Sequence, residues 1–200
     1  MKIRFIGDVH GKMEQYKFIA EQVERSVQVG DFGAGFVELP ILTSGHRFIR
    51  GNHDSPEACK KHPRWIPDGT IEGDILYIGG AWSIDQEWRT PGVSWWPDEQ
   101  LSIMELYDCL STAIAHYPKV LVTHDCPHSV APILFGGNGD ENVSYKTIHP
   151  SRTSQALDSI LDYVKPDVWI FGHWHNNVDK MIGRTRFICL GELSYMDLEV

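Results

Sequence analysis

The chain lacks any long apolar run: nothing in its 200 residues approaches the 18 consecutive apolar positions of a membrane span. It also lacks a basic stretch. Its 18 Lys and Arg are outnumbered by 27 Asp and Glu, giving a formal charge of −9. Extended nucleic acid is therefore not an expected partner, because a phosphate backbone binds basic surfaces. The opening MKIRFIGDVHG has no apolar core followed by a small-residue cleavage site, so no secretory signal is read. Cysteine is sparse: Cys59, Cys109, Cys126 and Cys189 are scattered and form no CxxC pair. Reduced thiols and a cytoplasmic location are expected. No repeat, low-complexity tract or linker divides the sequence, so one domain over residues 1–200 is expected.

Histidine, by contrast, is plentiful, with ten copies, several beside Asp, Asn or Gly at predicted strand ends. Strands are predicted at 2–7, 26–30, 46–50, 74–84, 119–125 and 167–175, with one or two more in the tail TRFICLGELSYMDLEV. Helices are predicted at 12–25, with an apolar face of Met13, Tyr16, Phe18, Ile19 and Val23, and at 55–62, where Ser55 caps and Pro56 fits the first turn. Two more are predicted at 98–116, capped near Asp98, and at 151–164, capped by Ser151 or Thr153. The Met and Leu stripe at 101–110 reads as helix core. Residues 85–97 and 127–150 read as long loops, which usually carry function or disorder. Apolar strands alternating with helices imply an α/β fold with sheets covered by helices, and sites form beyond the carboxyl ends of such strands.

Five polar clusters follow apolar runs: Asp8-Val9-His10, Gly30-Asp31, Gly51-Asn52-His53-Asp54, His124 and Gly172-His173-Trp174-His175. Brought together, Asp8 and Asp31 supply carboxylate oxygen, Asn52 a carbonyl oxygen, and His10, His124, His173 and His175 imidazole nitrogen. A mixed oxygen and nitrogen set without thiolate suits Mn²⁺, Fe or Zn²⁺. Seven ligands exceed one tetrahedral ion and suit two ions sharing a carboxylate. Two such ions, roughly 3.5–4 Å apart, clamp an in-line displacement and lower the pKa of a bound water from about 15.7 toward 7. His53, next to Asn52, is placed to protonate the leaving oxygen.

In this order, GDVHG at 7–11, GDFG at 30–33, GNHD at 51–54, THD at 123–125 and GHWH at 172–175 resemble the calcineurin-like metallophosphoesterase family. The resemblance spans residues 7 to 175. It implies a four-layered α/β/β/α sandwich and two divalent cations, with Mn the first choice and Fe or Zn as alternatives. By motif, Asp8, His10, Asp31 and His175 would hold one metal. Asp31 as the bridge, with Asn52, His124 and His173, would hold the other. His53 would be the general acid, acting with a metal-bridging hydroxide on a phosphodiester or phosphomonoester.

The sequence departs from the protein Ser/Thr phosphatase branch, whose second block continues as GDxxDRG and whose third reads GNHE. Here Ala34 and Gly35 stand at the Asp and Arg of GDFGAGF, which points to the phosphodiesterase-like members. The departure leaves open which group orients His53, with Asp54 and Asp125 as candidates. Arg89, flanked by Trp88, Trp95 and Trp96, is a candidate phosphate grip, and tryptophan faces suit a nucleotide-like substrate. His128 is a second candidate facing the substrate, and Arg152 a weaker one. His46, His62, His116 and His149 have no motif support and read as surface or loop residues, and Trp174 as packing. The expected partner is a small phosphate ester. The alternatives are a protein Ser/Thr phosphatase and a non-catalytic scaffold on the same fold.

Overall fold

A computed structural model describes residues 2–136 and 149–199. Two sheets form its middle. The first holds β1 (Lys2–Ile6), β2 (Ser26–Gln28), β3 (His46–Phe48) and β10 (Tyr195–Glu199), in the order β10-β1-β2-β3. The second holds β4 (Thr70–Glu72), β5 (Ile75–Ile78), β6 (Val120–Thr123), β7 (Val168–Phe171), β8 (Val178–Ile182) and β9 (Thr185–Cys189), in the order β4-β5-β6-β7-β9-β8. β1, β2 and β3 pair in parallel, as do β5, β6, β7 and β9. The outer strands β10, β4 and β8 pair antiparallel.

The alternation of side chains along the strands sorts the core into three apolar layers. Ile3, Phe5, Ile75, Tyr77, Val120, Val122, Ile170 and Ile188 fill the space between the sheets. On the outer face of the second sheet, Leu76, Leu121, Trp169, Phe171 and Phe187 meet α3 (Ile103–His116), α4 (Ala131–Phe135) and α5 (Arg152–Val164) through Leu106, Phe135, Leu157 and Ile160. On the outer face of the first sheet, Ile6 and Phe48 meet Tyr16 and Ala20 of α1 (Met13–Ala20) and Cys59 of α2 (Pro56–Lys61). The result is helix, sheet, sheet, helix. Both faces of each sheet are covered, so the central strands are apolar in continuous runs.

Local chemistry explains where the elements start. Ser55 accepts from the Ala58 N–H at 3.3 Å and Pro56 occupies the first turn of α2. Ser151 caps α5. Helix α3 begins five residues later than the predicted 98, because Ser102, not Asp98, makes a reciprocal capping box with Glu105. The predicted apolar stripes are also narrower than expected: Phe18 is 73% exposed and Met104 68%. Two strands were not predicted. β4 and β8 are the first arms of hairpins that turn on Gly73-Asp74 and Gly183-Arg184, each with a positive-φ glycine opening a two-residue loop. Within the predicted loop 127–150, Ala131–Phe135 is helical; residues 137–148 lie outside the described residues. Among the described residues, no helix is long and apolar enough to cross a membrane.

Candidate metal centre

The parallel strands of both sheets end at one edge. β1 leads into Asp8, β2 into Asp31, β3 into Asn52, β6 into His124, and β7 into His173 and His175. Ligand-type atoms of Asp8, His10, Asp31 and His175 all lie within 4.8 Å of one another, as do those of Asp31, His124 and His173. Asn52 joins the second group, with Oδ1 3.1 Å from His124 Nε2. Asp31 belongs to both groups.

The backbone is bent to make this possible. His10, Asp31, His173 and His175 all have φ between +47° and +65°. Left-handed backbone at a non-glycine residue carries strain, and four cases at one place mark a constrained site. Gly30 (φ +102°) allows the close approach: a Cβ there would lie 2.2 Å from His124 Nδ1. That same Nδ1 sits 2.8 Å from the Val29 carbonyl, so it carries the proton and Nε2 faces the cluster. Asp8 accepts from the His173 N–H, at 3.2 and 3.1 Å to its two oxygens.

Charge accounts for the cluster's titration. Burial alone would raise the pKa of Asp31; His124, then His53 and His10, override it and hold the carboxyl well below its usual range. Burial alone would lower that of His124; Asp31 overrides it and pushes His124 up to about 9. A cation entering here must displace that proton. The residues fit cations on a further count. Asp31 Oδ1 accepts from the His53 N–H at 2.8 Å, whereas Oδ2 is buried with no hydrogen-bond partner. His10 Nε2 and His175 Nε2 lie 3.1 Å apart, close enough for one cation to take both nitrogens. Such a set of oxygen and nitrogen donors, buried except at His10 and His175, matches what a hard or borderline divalent ion takes.

His53 stands at the rim. Of the two groups expected to orient it, neither does. Asp54 spends both oxygens on backbone N–H groups: Oδ1 on Gly33 and Ala34 (2.7 and 2.9 Å), Oδ2 on Phe32 and Gly51 (3.1 and 2.8 Å). It ties the second and third blocks together. Asp125 Oδ1 accepts from the Cys126 N–H and from Trp174 Nε1 at 3.1 Å. The neighbour of His53 is Arg89, with Nη1 2.7 Å from Nδ1 and Nη2 3.2 Å from Nε2. Arg89 is itself clamped by both carboxylate oxygens of Asp85, at 2.8 and 2.7 Å. Burial, with Arg89 and two histidines, pulls His53 down to about 4 against Asp31, so its ring is neutral at pH 7.

The open cleft over the cluster has a volume of about 660 Å³ and includes His10, Asp31, Asn52, His53, Arg89 and His175 in its walls. That is the size range of small-ligand sites. His128 and His149 line a small adjoining pocket that shares Trp82, His173 and Trp174 with the cleft. Arg152 donates from Nε to the Leu101 carbonyl at 2.8 Å, pinning α5 beside the start of α3. His46 is buried rather than on the surface, 2.9 Å from Ser26 Oγ. Trp174 packs as expected, stacked on Phe135 at 4.4 Å. Sequence reasoning missed Ser83 and Glu99, whose single polar side chains carry no motif; both are buried, Ser83 against Asn52 and Glu99 against Ser83.

A family model for the calcineurin-like phosphoesterase superfamily domain matches residues 1–198. The chain belongs to this superfamily. Members typically bind divalent metals, and the two side-chain groups provide a place for them. Comparison with curated proteins returned no match. Among solved structures, a Staphylococcus aureus protein assigned as a 5′-nucleotidase aligns over 100% of this chain and 51% of its own, at 13% identity and TM-score 0.53. This superfamily member thus spans about half the length of that protein, and the likeness concerns the fold alone. A predicted phosphoesterase from Streptococcus pneumoniae aligns over 100% and 84% (11% identity, TM-score 0.38). A protein serine/threonine phosphatase from Saccharomyces cerevisiae aligns over 96% and 67% (11%, 0.35).

Proposed function

We propose that this phosphoesterase-family chain is a dinuclear metal-dependent hydrolase of small phosphodiesters or phosphomonoesters, nucleotide-like ones included, rather than a protein Ser/Thr phosphatase. The observation that carries the reading is the convergence of two donor groups sharing Asp31 beneath a cleft flanked by His53 and Arg89. Asp8, His10, Asp31 and His175 would hold one cation, and Asp31, Asn52, His124 and His173 the other. Bound there, Mn, with Fe or Zn as alternatives, would supply Lewis-acid charge and a nucleophile at neutral pH.

The chain's own residues do the rest. Asp85 and the Ser94 carbonyl fix the Arg89 guanidinium against His53 in the wall of the cleft, where a phosphate oxygen would take over the donors that now face His53. An anionic ester beside His53 acts with the opposite sign to Arg89 and to burial. It raises the pKa of His53 toward the range where the ring holds a proton and delivers it to the leaving oxygen. The preference against protein substrates rests on the second block. Gly35 has φ +91°, and a Cβ there would meet Ser55 Cβ at 2.6 Å, so no phosphate-gripping arginine fits at that position.

A panel assay with added Mn²⁺ tests the reading. Bis-p-nitrophenyl phosphate, phosphomonoesters or nucleotides are expected to be cleaved with kcat/KM at least about tenfold above phosphopeptides, a difference of about 1.4 kcal/mol in barrier. The reverse ranking assigns a protein phosphatase. Full metal loading with no turnover on any ester assigns a scaffold.

A further inference from the structure

Resting on the reading above, we propose that Ser83 and Glu99 are positioning residues that set the amide of Asn52 so that its oxygen, not its nitrogen, faces the second cation. The argument is one of donor counting. Glu99 accepts twice from Ser83: Oε1 from the Ser83 N–H at 2.8 Å and Oε2 from the Ser83 hydroxyl at 2.5 Å. The hydroxyl has one hydrogen, and Glu99 takes it. Toward Asn52 the Ser83 oxygen can therefore only accept. Asn52 must present its NH₂ group there, and Nδ2 donates to Ser83 Oγ at 3.0 Å. This leaves Oδ1 turned inward, 3.1 Å from His124 Nε2.

Both residues are 2% exposed, so water does not compete for these bonds. Glu99 is itself held in place. Arg50, 4% exposed, donates from Nη1 to the Asp98 and Glu99 carbonyls at 3.0 and 2.8 Å, while its Nε binds Asp68 at 3.0 Å. Ser83 and Glu99 also stand at the two ends of residues 84–98, the segment that carries Asp85 and Arg89. One pair of side chains thus closes the base of that segment and orients a donor of the cluster.

The test is titration of the whole metal-depleted chain with Mn²⁺ alone, read by calorimetry and by metal content after dialysis. The parent is expected to take two equivalents. Ser83→Ala is expected to weaken the second equivalent by about 10–100-fold, the usual effect of removing an outer-shell partner, and to leave the first within about twofold. Glu99→Gln is expected to do the same, because its NH₂ group turns the Ser83 hydrogen toward Asn52; it decides the matter should Ser83→Ala fail to fold. In an Asn52→Asp background the two oxygens are equivalent and no orientation is needed. There Ser83→Ala is expected to cost less than about threefold, whereas a merely structural role would cost the same in both backgrounds. Two equivalents bound by Ser83→Ala or Glu99→Gln as tightly as by the parent overturns the proposal. A parent that binds no metal overturns the underlying reading instead.

Discussion

Asp31→Asn is expected to lose tight binding of both cations and to lower turnover by about 10³-fold or more, equivalent to about 4 kcal/mol of transition-state stabilisation. The size follows from position. Asp31 is the one side chain common to both donor groups. Its Oδ1 already accepts the His53 N–H at 2.8 Å, and its Oδ2 is buried without a partner. An asparagine would keep its oxygen on that N–H and turn its NH₂ toward the position of Oδ2, replacing an anionic donor with a hydrogen-bearing group. Metal content after dialysis against Mn²⁺ checks this. Two equivalents retained by the variant would remove Asp31 from its shared role.

His53→Ala is expected to keep both cations and to lower kcat by about 10²–10⁴-fold on an alkyl phosphate ester. On p-nitrophenyl esters the loss is expected to be smaller, because that leaving oxygen departs without a proton. The split between the two esters distinguishes acid catalysis from damage to the centre. The His53 backbone N–H, not its ring, touches Asp31, so truncating the ring leaves that bond in place. Equal turnover of variant and parent on the alkyl ester would take His53 out of the mechanism.

The fold and the donor groups were legible for one physical reason. In parallel sheets the strands are apolar and their carboxyl ends gather, so a polar cluster after each apolar run marks the shared edge without knowledge of the pairing. Asp8, Asp31, Asn52, His124 and His173 all follow that pattern. What was not legible depends on the third dimension alone. Arg89 was noticed as a phosphate grip, but its place against His53 is set by Asp85 and by the path of residues 84–98. Ser83 and Glu99 act through hydrogen-bond partners distant in sequence, and one serine and one glutamate leave no spacing signal. The burial of His46 is likewise a contact between neighbouring strands, which a composition-based reading takes for surface. The hairpin arms β4 and β8 did carry a local signal, in Gly73-Asp74 and Gly183, but β4 is only three residues long and VDKMI of β8 shows no alternation of apolar and polar residues.

The central claim is that two cations sit side by side across Asp31. Anomalous diffraction from crystals grown with Mn²⁺ measures it directly. Two peaks roughly 3.5–4 Å apart are predicted, one bordered by Asp8, His10 and His175, the other by Asn52, His124 and His173, with Asp31 between them. A single peak, or a pair in which Asp31 touches one ion or neither, would contradict it.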